Sequence, residues 1–331
     1  MHFRRRWRMQ WPDALQRLLV CARNSKAHLR QSNNVQPPSM RRSLPLSLIG
    51  SEHPDFKILS ALEDDILRCS GGLEHLRTFF ADMLRDEIDK LIDTPNTDRR
   101  EYAELEKVEK TYVGTRVEIR LRKFWGYPKG RLDLRIGHLD VDIKHTMEAS
   151  WMIPAEAVDA PCVLTAADEN SAQCYMGLIL AKREYLTGGS NRDKKVQIVA
   201  AAWQHIRWLI LASPYPPNFW KTLDRPTVGN IFEGKSGMER VRRLFRHVLD
   251  RPIPRKVVID AAQQLDPIKR VRKNGGARDQ MLQEGILILS GDYNAALIAA
   301  LKLPACNSGE FIAHRLKDGR ERELAKAFQA L

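Results

Sequence analysis

The 331 residues predict a mixed α/β (α+β) domain followed by a mostly helical domain of helix-turn-helix outline. Three observations carry that expectation. Long stretches of helical periodicity precede two short alternating segments joined by a tight turn. A proline cluster, Pro214-Tyr215-Pro216-Pro217, then interrupts the chain. Beyond it, short amphipathic patterns run into a glycine pair and one apolar strand.

Residues 1–50 hold ten Lys/Arg against one acid, Asp13, and residues 1–52 read as a basic, disordered amino-terminal extension. From His53 the pattern turns helical. Phe56, Leu59, Leu62, Ile66 and Leu67 recur at three- and four-residue spacing until Gly71-Gly72, and residues 73–92 form a second amphipathic stretch that stops at Thr94-Pro95. A third helix spans 107–125, with Val113, Val117, Leu121 and Phe124 on one face and Glu118 beside that stripe. Residues 162–166 and 174–180 are apolar runs that read as buried strands. Asn191 opens a charged segment, 191–195, that reads as a helix cap ahead of a DNA contact. The first domain is expected over 53–205 and the second over 206–331.

Net charge is +13, and it is clustered. Residues 1–50 and 235–278 carry +9 each, leaving −5 for the remainder. Such basic blocks are an electrostatic footprint for polyanions, with nucleic acid ahead of an anionic membrane surface. No apolar run reaches the roughly 18–20 residues needed to cross a bilayer, so a transmembrane protein is excluded, and nucleic acid rather than a membrane is the expected partner. The five cysteines are scattered, without a CxxC pair, which fits a reducing cytoplasm better than a disulfide framework or a structural zinc site.

The most informative segment is residues 131–145, RLDLRIGHLDVDIKH. Leu132, Leu134 and Ile136 alternate with Asp133 and Arg135. Leu139, Val141 and Ile143 alternate with Asp140, Asp142 and Lys144. A two-residue turn at Gly137-His138 sets Ile136 against Leu139, and counting back sets Asp133 against Asp142, with Lys144 on the same face. Two carboxylates pressed together repel unless they share a cation, and a hard divalent ion such as Mg2+ suits oxygen ligands. Glu118 could complete that shell. The plainer reading, a surface hairpin with a charged outer face, stands beside it. His138 and His145 flank the acids and read as turn and strand-end residues.

In the second domain, Val241, Leu244, Phe245 and Val248 mark one helical face, ringed by Arg240, Arg242, Arg243 and Arg246. A short helix follows over 257–264. Pro267 opens another, carrying Lys269, Arg270, Arg272 and Lys273 up to Asn274-Gly275-Gly276, with Arg278 and a strand at 285–289 behind it. Helix, turn, basic helix and strand are the outline of a winged helix-turn-helix, whose second helix would read a major groove.

Asp133, eight residues, Asp142, one residue and Lys144 match the PD-(D/E)xK nuclease spacing, with Leu132 standing where that pattern has proline. Residues 107–119, 141–144, 151–156, 190–193, 269–279 and 284–289 resemble, in the same order, the NaeI family of type II restriction endonucleases. The resemblance runs, with gaps, from about Leu84 to about Leu303. It implies a Mg2+-dependent endonuclease core with Glu118, Asp133, Asp142 and Lys144 as catalytic acids and lysine, the three acids being the metal ligands. It also implies a bacterial cytoplasmic homodimer cutting double-stranded DNA to 5′-phosphate and 3′-hydroxyl ends. The winged-helix domain would take a second DNA copy as effector through Lys269, Arg270, Arg272, Lys273 and Arg278. Two other readings compete: a non-catalytic winged-helix regulator, and a repair or mobile-element nuclease of the same superfamily.

Overall fold

The structure is a computed structural model and describes residues 49–147, 150–272, 275–328 and 330. The basic extension therefore lies, up to residue 48, outside the described residues, and so does Lys273. The chain divides into two compact units. One holds residues through Leu91 together with Tyr102–Pro217, and the other holds Ile92–Glu101 with Asn218–Leu331.

In the first unit, three helices, α1 (Phe56–Cys69), α2 (Leu73–Ile92) and α3 (Lys107–Trp125), follow the periodicity of the sequence. Leu59, Leu62 and Ile66 of α1 are buried. Val113, Val117, Leu121 and Trp125 form the buried stripe of α3, while Phe124 turns outward and stacks on Phe79, ring centroids 3.6 Å apart. Helix α3 opens with a reciprocal cap, in which Glu109 reaches back to the Glu106 amide at 2.8 Å.

The sheet is mixed and five-stranded. Its strands are β1 (Leu134–Ile136), β2 (Leu139–Thr146), β4 (Pro161–Asp168), β5 (Gln173–Leu180) and β7 (Arg207–Pro214), in that spatial order. β2 and β4 are parallel and every other neighbouring pair is antiparallel. Strands β4 and β5, buried along nearly their whole length, sit in the middle, as their continuous apolar runs require. A separate ribbon pairs β3 (Met152–Ile153) with β6 (Val196–Gln197). The first unit therefore continues past residue 205. Residues 207–214 form its fifth strand, and the chain leaves the sheet only at the proline cluster. The segment 191–195 caps no helix. Asn191 Oδ1 accepts from the Asp193 and Lys195 amides, each at 2.9 Å, closing a turn that feeds β6.

The second unit carries α4 (Arg225–Phe232), α5 (Gly237–His247), β8 (Pro252–Pro254), α6 (Arg255–Ala262), α7 (Ala277–Gln283), β9 (Ile286–Ser290), α8 (Ala295–Ala300), β10 (Glu310–Arg315) and α9 (Gly319–Ala327). Its antiparallel sheet has the order β8-β10-β9. Val241, Leu244, Phe245 and Val248 are buried in its core, as the periodicity predicts. The expected basic helix does not form. Pro267–Val271 is a single 3-10 turn, and Arg272 is extended at φ −69°, ψ 161°. Five residues are too few to repay helix nucleation, and the chain then doubles back tightly. A Cβ on Gly276 would lie 1.9 Å from the Arg272 carbonyl oxygen, so only glycine fits there. The helix entering β9 is instead α7, which starts beyond the glycines.

Candidate active site

The hairpin on the sheet's edge builds the site. Leu134, Ile136, Val141 and Ile143 are buried, so the alternation turns the intervening polar residues to the other face. The register pairs Ile136 with Leu139, Arg135 with Asp140 and Leu134 with Val141. One further step sets Asp133 against Asp142. Just before it, Gly130 admits the Asp140 carboxylate. A Cβ there would stand 2.1 Å from Asp140 Oδ1, which accepts the Arg131 amide at 2.7 Å.

Asp133 is held from β2, because the Ile143 amide donates to its Oδ2 at 2.8 Å. The Lys144 ammonium lies 3.6 Å from that same oxygen and 2.8 Å from the Asp142 carboxylate, donating to Oδ1. Asp142 is 3% exposed, and its buried Oδ2 lies 2.8 Å from the Lys144 ammonium. Glu118 arrives from α3, which lies against β2. Its carboxyl is within hydrogen-bonding reach of Asp133 and takes a hydrogen bond from Arg122 Nη1 at 3.1 Å. The structure thus brings Glu118, Asp133, Asp142 and Lys144 together. Arg122 is the member that reading the sequence missed; its only signal there is the four-residue spacing from Glu118.

The electrostatics follow from crowding and burial. Burial pushes the Asp142 carboxyl up to about 7; Lys144 opposes this and Asp133 adds to it. Burial, then the Asp133 charge, raise Glu118 above the ordinary carboxylate range against the pull of Arg122. Burial works against the Lys144 charge, but the Asp142 and Asp133 carboxylates outweigh it and raise its pKa. His145 hydrogen-bonds Thr165 Oγ1 at 3.0 Å, and burial pushes it down to about 4, so it stays neutral at the strand's end. Among the described residues, no group of three or more His, Cys, Asp and Glu side chains has the spacing of a preformed metal cage. A lysine cation stands against the acids instead.

Four of the five basic residues expected to contact DNA, Lys269, Arg270, Arg272 and Arg278, are among the described residues of the second unit. Lys269 is exposed and pairs with Asp266 at 2.6 Å, and Arg270 donates to Gln264 Oε1 at 2.7 Å. Arg272 is exposed. Arg278 sits in the first turn of α7, half-buried, with an Nε that has no hydrogen-bond partner. Two of the remaining arginines of the basic block are engaged with the protein itself. Arg240 donates to the carbonyls of Gly234, Ala261 and Ala262 at 2.8–2.9 Å, and Arg246 clasps Glu284 with two hydrogen bonds of 2.8 and 2.6 Å.

Acids and a lysine converging on a sheet-edge hairpin suit phosphodiester hydrolysis, and the comparisons give the class as restriction endonuclease. Residues 77–325 match the family model described as "Restriction endonuclease NaeI". The "Type II restriction enzyme NaeI" of Lentzea aerocolonigenes is 33% identical over 282 residues, which cover 80% of this chain and 88% of that protein. The chain belongs to the NaeI family of type II restriction endonucleases. The matched region runs to residue 325, past the point near Leu303 where the segment-by-segment resemblance ends.

Proposed function

We propose that this protein is a Mg2+-dependent, sequence-specific endonuclease of double-stranded DNA that leaves 5′-phosphate and 3′-hydroxyl ends. The observation that carries the reading is the Lys144 ammonium set against Asp142 and Asp133, with the Glu118 carboxyl beside Asp133. The residues present suit a hard cation. Asp133 and Asp142 share one ammonium and Glu118 adds a third carboxyl beside Asp133, so the cluster holds more negative than positive charge on oxygen ligands. Asp133, Asp142 and Glu118 would hold Mg2+, which when bound polarises a phosphoryl oxygen and lowers the pKa of a bound water. Lys144 keeps its proton at neutral pH and offsets the charge that grows on the phosphate. Glu118, with its raised pKa, holds the attacking water and accepts its proton.

The second unit supports a winged-helix reading. Helix α5, strand β8, helices α6 and α7, then β9 and β10 follow in order, and β10 lies between β8 and β9. In that reading α7, rather than residues 267–273, enters the major groove with Arg278 near its start. Lys269, Arg270 and Arg272 precede it toward the phosphates, and the expected contact from Lys273 lies outside the described residues. The domain engages a second DNA copy, and the protein acts as a homodimer, since protein symmetry mirrors a palindromic site.

Incubating the purified protein with plasmid and Mg2+, then sequencing the ends, tests this directly. Wild type gives discrete fragments at one sequence, and Asp142→Ala binds the plasmid without cutting it. Cutting that persists in Asp142→Ala rejects the site. Wild type that binds without cutting supports the regulator, and cuts scattered at no fixed sequence support a repair or mobile-element nuclease.

A further inference from the structure

We propose that Arg122 is a positioning residue that holds Glu118 and Asp133 in register with each other. The inference rests on the nuclease reading of the hairpin and deepens it. Arg122 Nη1 donates to Glu118 Oε1 at 3.1 Å and to the Asp133 main-chain oxygen at 2.9 Å. One guanidinium thus ties a helix side chain to the backbone of the residue just before β1.

An exposed ion pair one helical turn apart is common and holds nothing in place. Three observations set this pair apart. First, both partners are largely covered, with side chains 22% and 25% exposed. Second, the other arginines of that helix go elsewhere: Arg116 and Arg120 pair with Glu87 on α2. Third, Asp133 otherwise has little to fix its main chain. Helix α3 ends at Gly126 in a left-handed cap, residues 127–133 form no regular element, and the β1 ladder begins only at Leu134. The Asp133 carboxylate is held from one side by the Ile143 amide and its main chain from the other by Arg122. A planar guanidinium loses little freedom in making two such bonds, which suits it to this bracing role.

The test uses the full chain with Arg122→Ala and Arg122→Lys, and Asp142→Ala beside them. Plasmid cleavage with Mg2+ gives kcat and KM, and calorimetry with Ca2+ alone, without DNA, gives cation affinity. Partners that orient ligating carboxylates typically control about 10–100-fold in metal affinity or activity. Arg122→Ala is therefore expected to lower kcat and Ca2+ affinity by at least about tenfold while KM stays within about twofold. Arg122→Lys, whose ammonium also donates to both oxygens, recovers part of the loss. If alanine disturbs the melting transition, Arg122→Met keeps the apolar stem without donors and gives the same comparison. Unchanged kcat and Ca2+ affinity overturn the proposal, and so does a rise in KM alone, which would make Arg122 a DNA contact. Asp142→Ala separates the two levels. If it still cuts, the site reading itself fails; if it is dead while Arg122→Ala matches wild type, only the Arg122 inference fails.

Discussion

Acidification should weaken cation binding through Asp142. Its carboxyl is pushed up to about 7, with burial as the main cause. A proton and a divalent cation compete for the same oxygens. At pH 8 about nine-tenths of the Asp142 carboxyls are ionised and at pH 6 about one-tenth, so Mg2+ affinity falls roughly tenfold across that interval. Because Glu118, Asp133 and Asp142 interact, the observed midpoint belongs to the cluster rather than to one residue. The effect on stability has the opposite sense in the cation-free protein. A carboxyl raised in the folded state stabilises fully below its unfolded value and loses that contribution as pH rises through about 7. Wild type without cation should therefore lose stability between pH 4 and pH 7, at up to about 1.4 kcal/mol per pH unit, relative to Asp142→Asn. Calorimetric Mg2+ titrations from pH 5.5 to 8.5 and parallel melts of the two proteins read both effects. A flat Mg2+ affinity between pH 6 and 8, or equal stability slopes for wild type and Asp142→Asn, would refute the reasoning.

Three substitutions probe the scaffold. Gly130→Ala puts a methyl 2.1 Å from Asp140 Oδ1 and 3.1 Å from the Leu134 carbonyl oxygen. It should cost roughly 1–3 kcal/mol in urea unfolding, and a loss below about 0.5 kcal/mol would mean the 127–133 loop opens freely. Glu87 is 1% exposed and bonds Arg116 Nε at 2.6 Å. Burial raises its pKa, but Arg116 and Lys90 more than reverse this and leave it below the usual carboxylate range. Glu87→Ala should destabilise by about 1–3 kcal/mol at pH 7. The gap between it and wild type should close as pH falls through about 4, since a depressed carboxylate stabilises only above its unfolded value. In the second unit, Phe245 is fully buried, and Phe245→Ala should cost about 3–5 kcal/mol by denaturant unfolding, whereas a change under 1 kcal/mol would contradict the packing.

The hairpin was legible because its two constraints are local. Period-two alternation fixes which side chains share a face, and a two-residue turn fixes the register, so Asp133 against Asp142 follows by counting. The helices over 56–69, 73–92 and 107–125 were legible for the same reason: a long period repeats often enough to exclude alternatives. Strand β7 was harder to see. Its apolar run merges with the 3-10 turn over Ala200–His205, so neither composition nor periodicity separates the last strand from a boundary. The segment after Pro267 misled because a first-turn proline and a later glycine pair are helix signals, although Pro267–Val271 is a 3-10 turn and Arg272 is extended. Arg122 was invisible for another reason. Its second acceptor is a main-chain oxygen, which leaves no mark in the sequence.

Formal charge and usable charge part company in the carboxy-terminal basic block. Arg240 spends its guanidinium on three carbonyls, two of them at the open end of α6, and Arg246 spends its own on Glu284. Arg240 acts as mortar between helices, so replacing it with lysine should loosen the masonry while leaving the ionic-strength sensitivity of DNA capture nearly intact. A surface drawn from charge counts alone would overstate the field this half of the protein projects toward a polyanion.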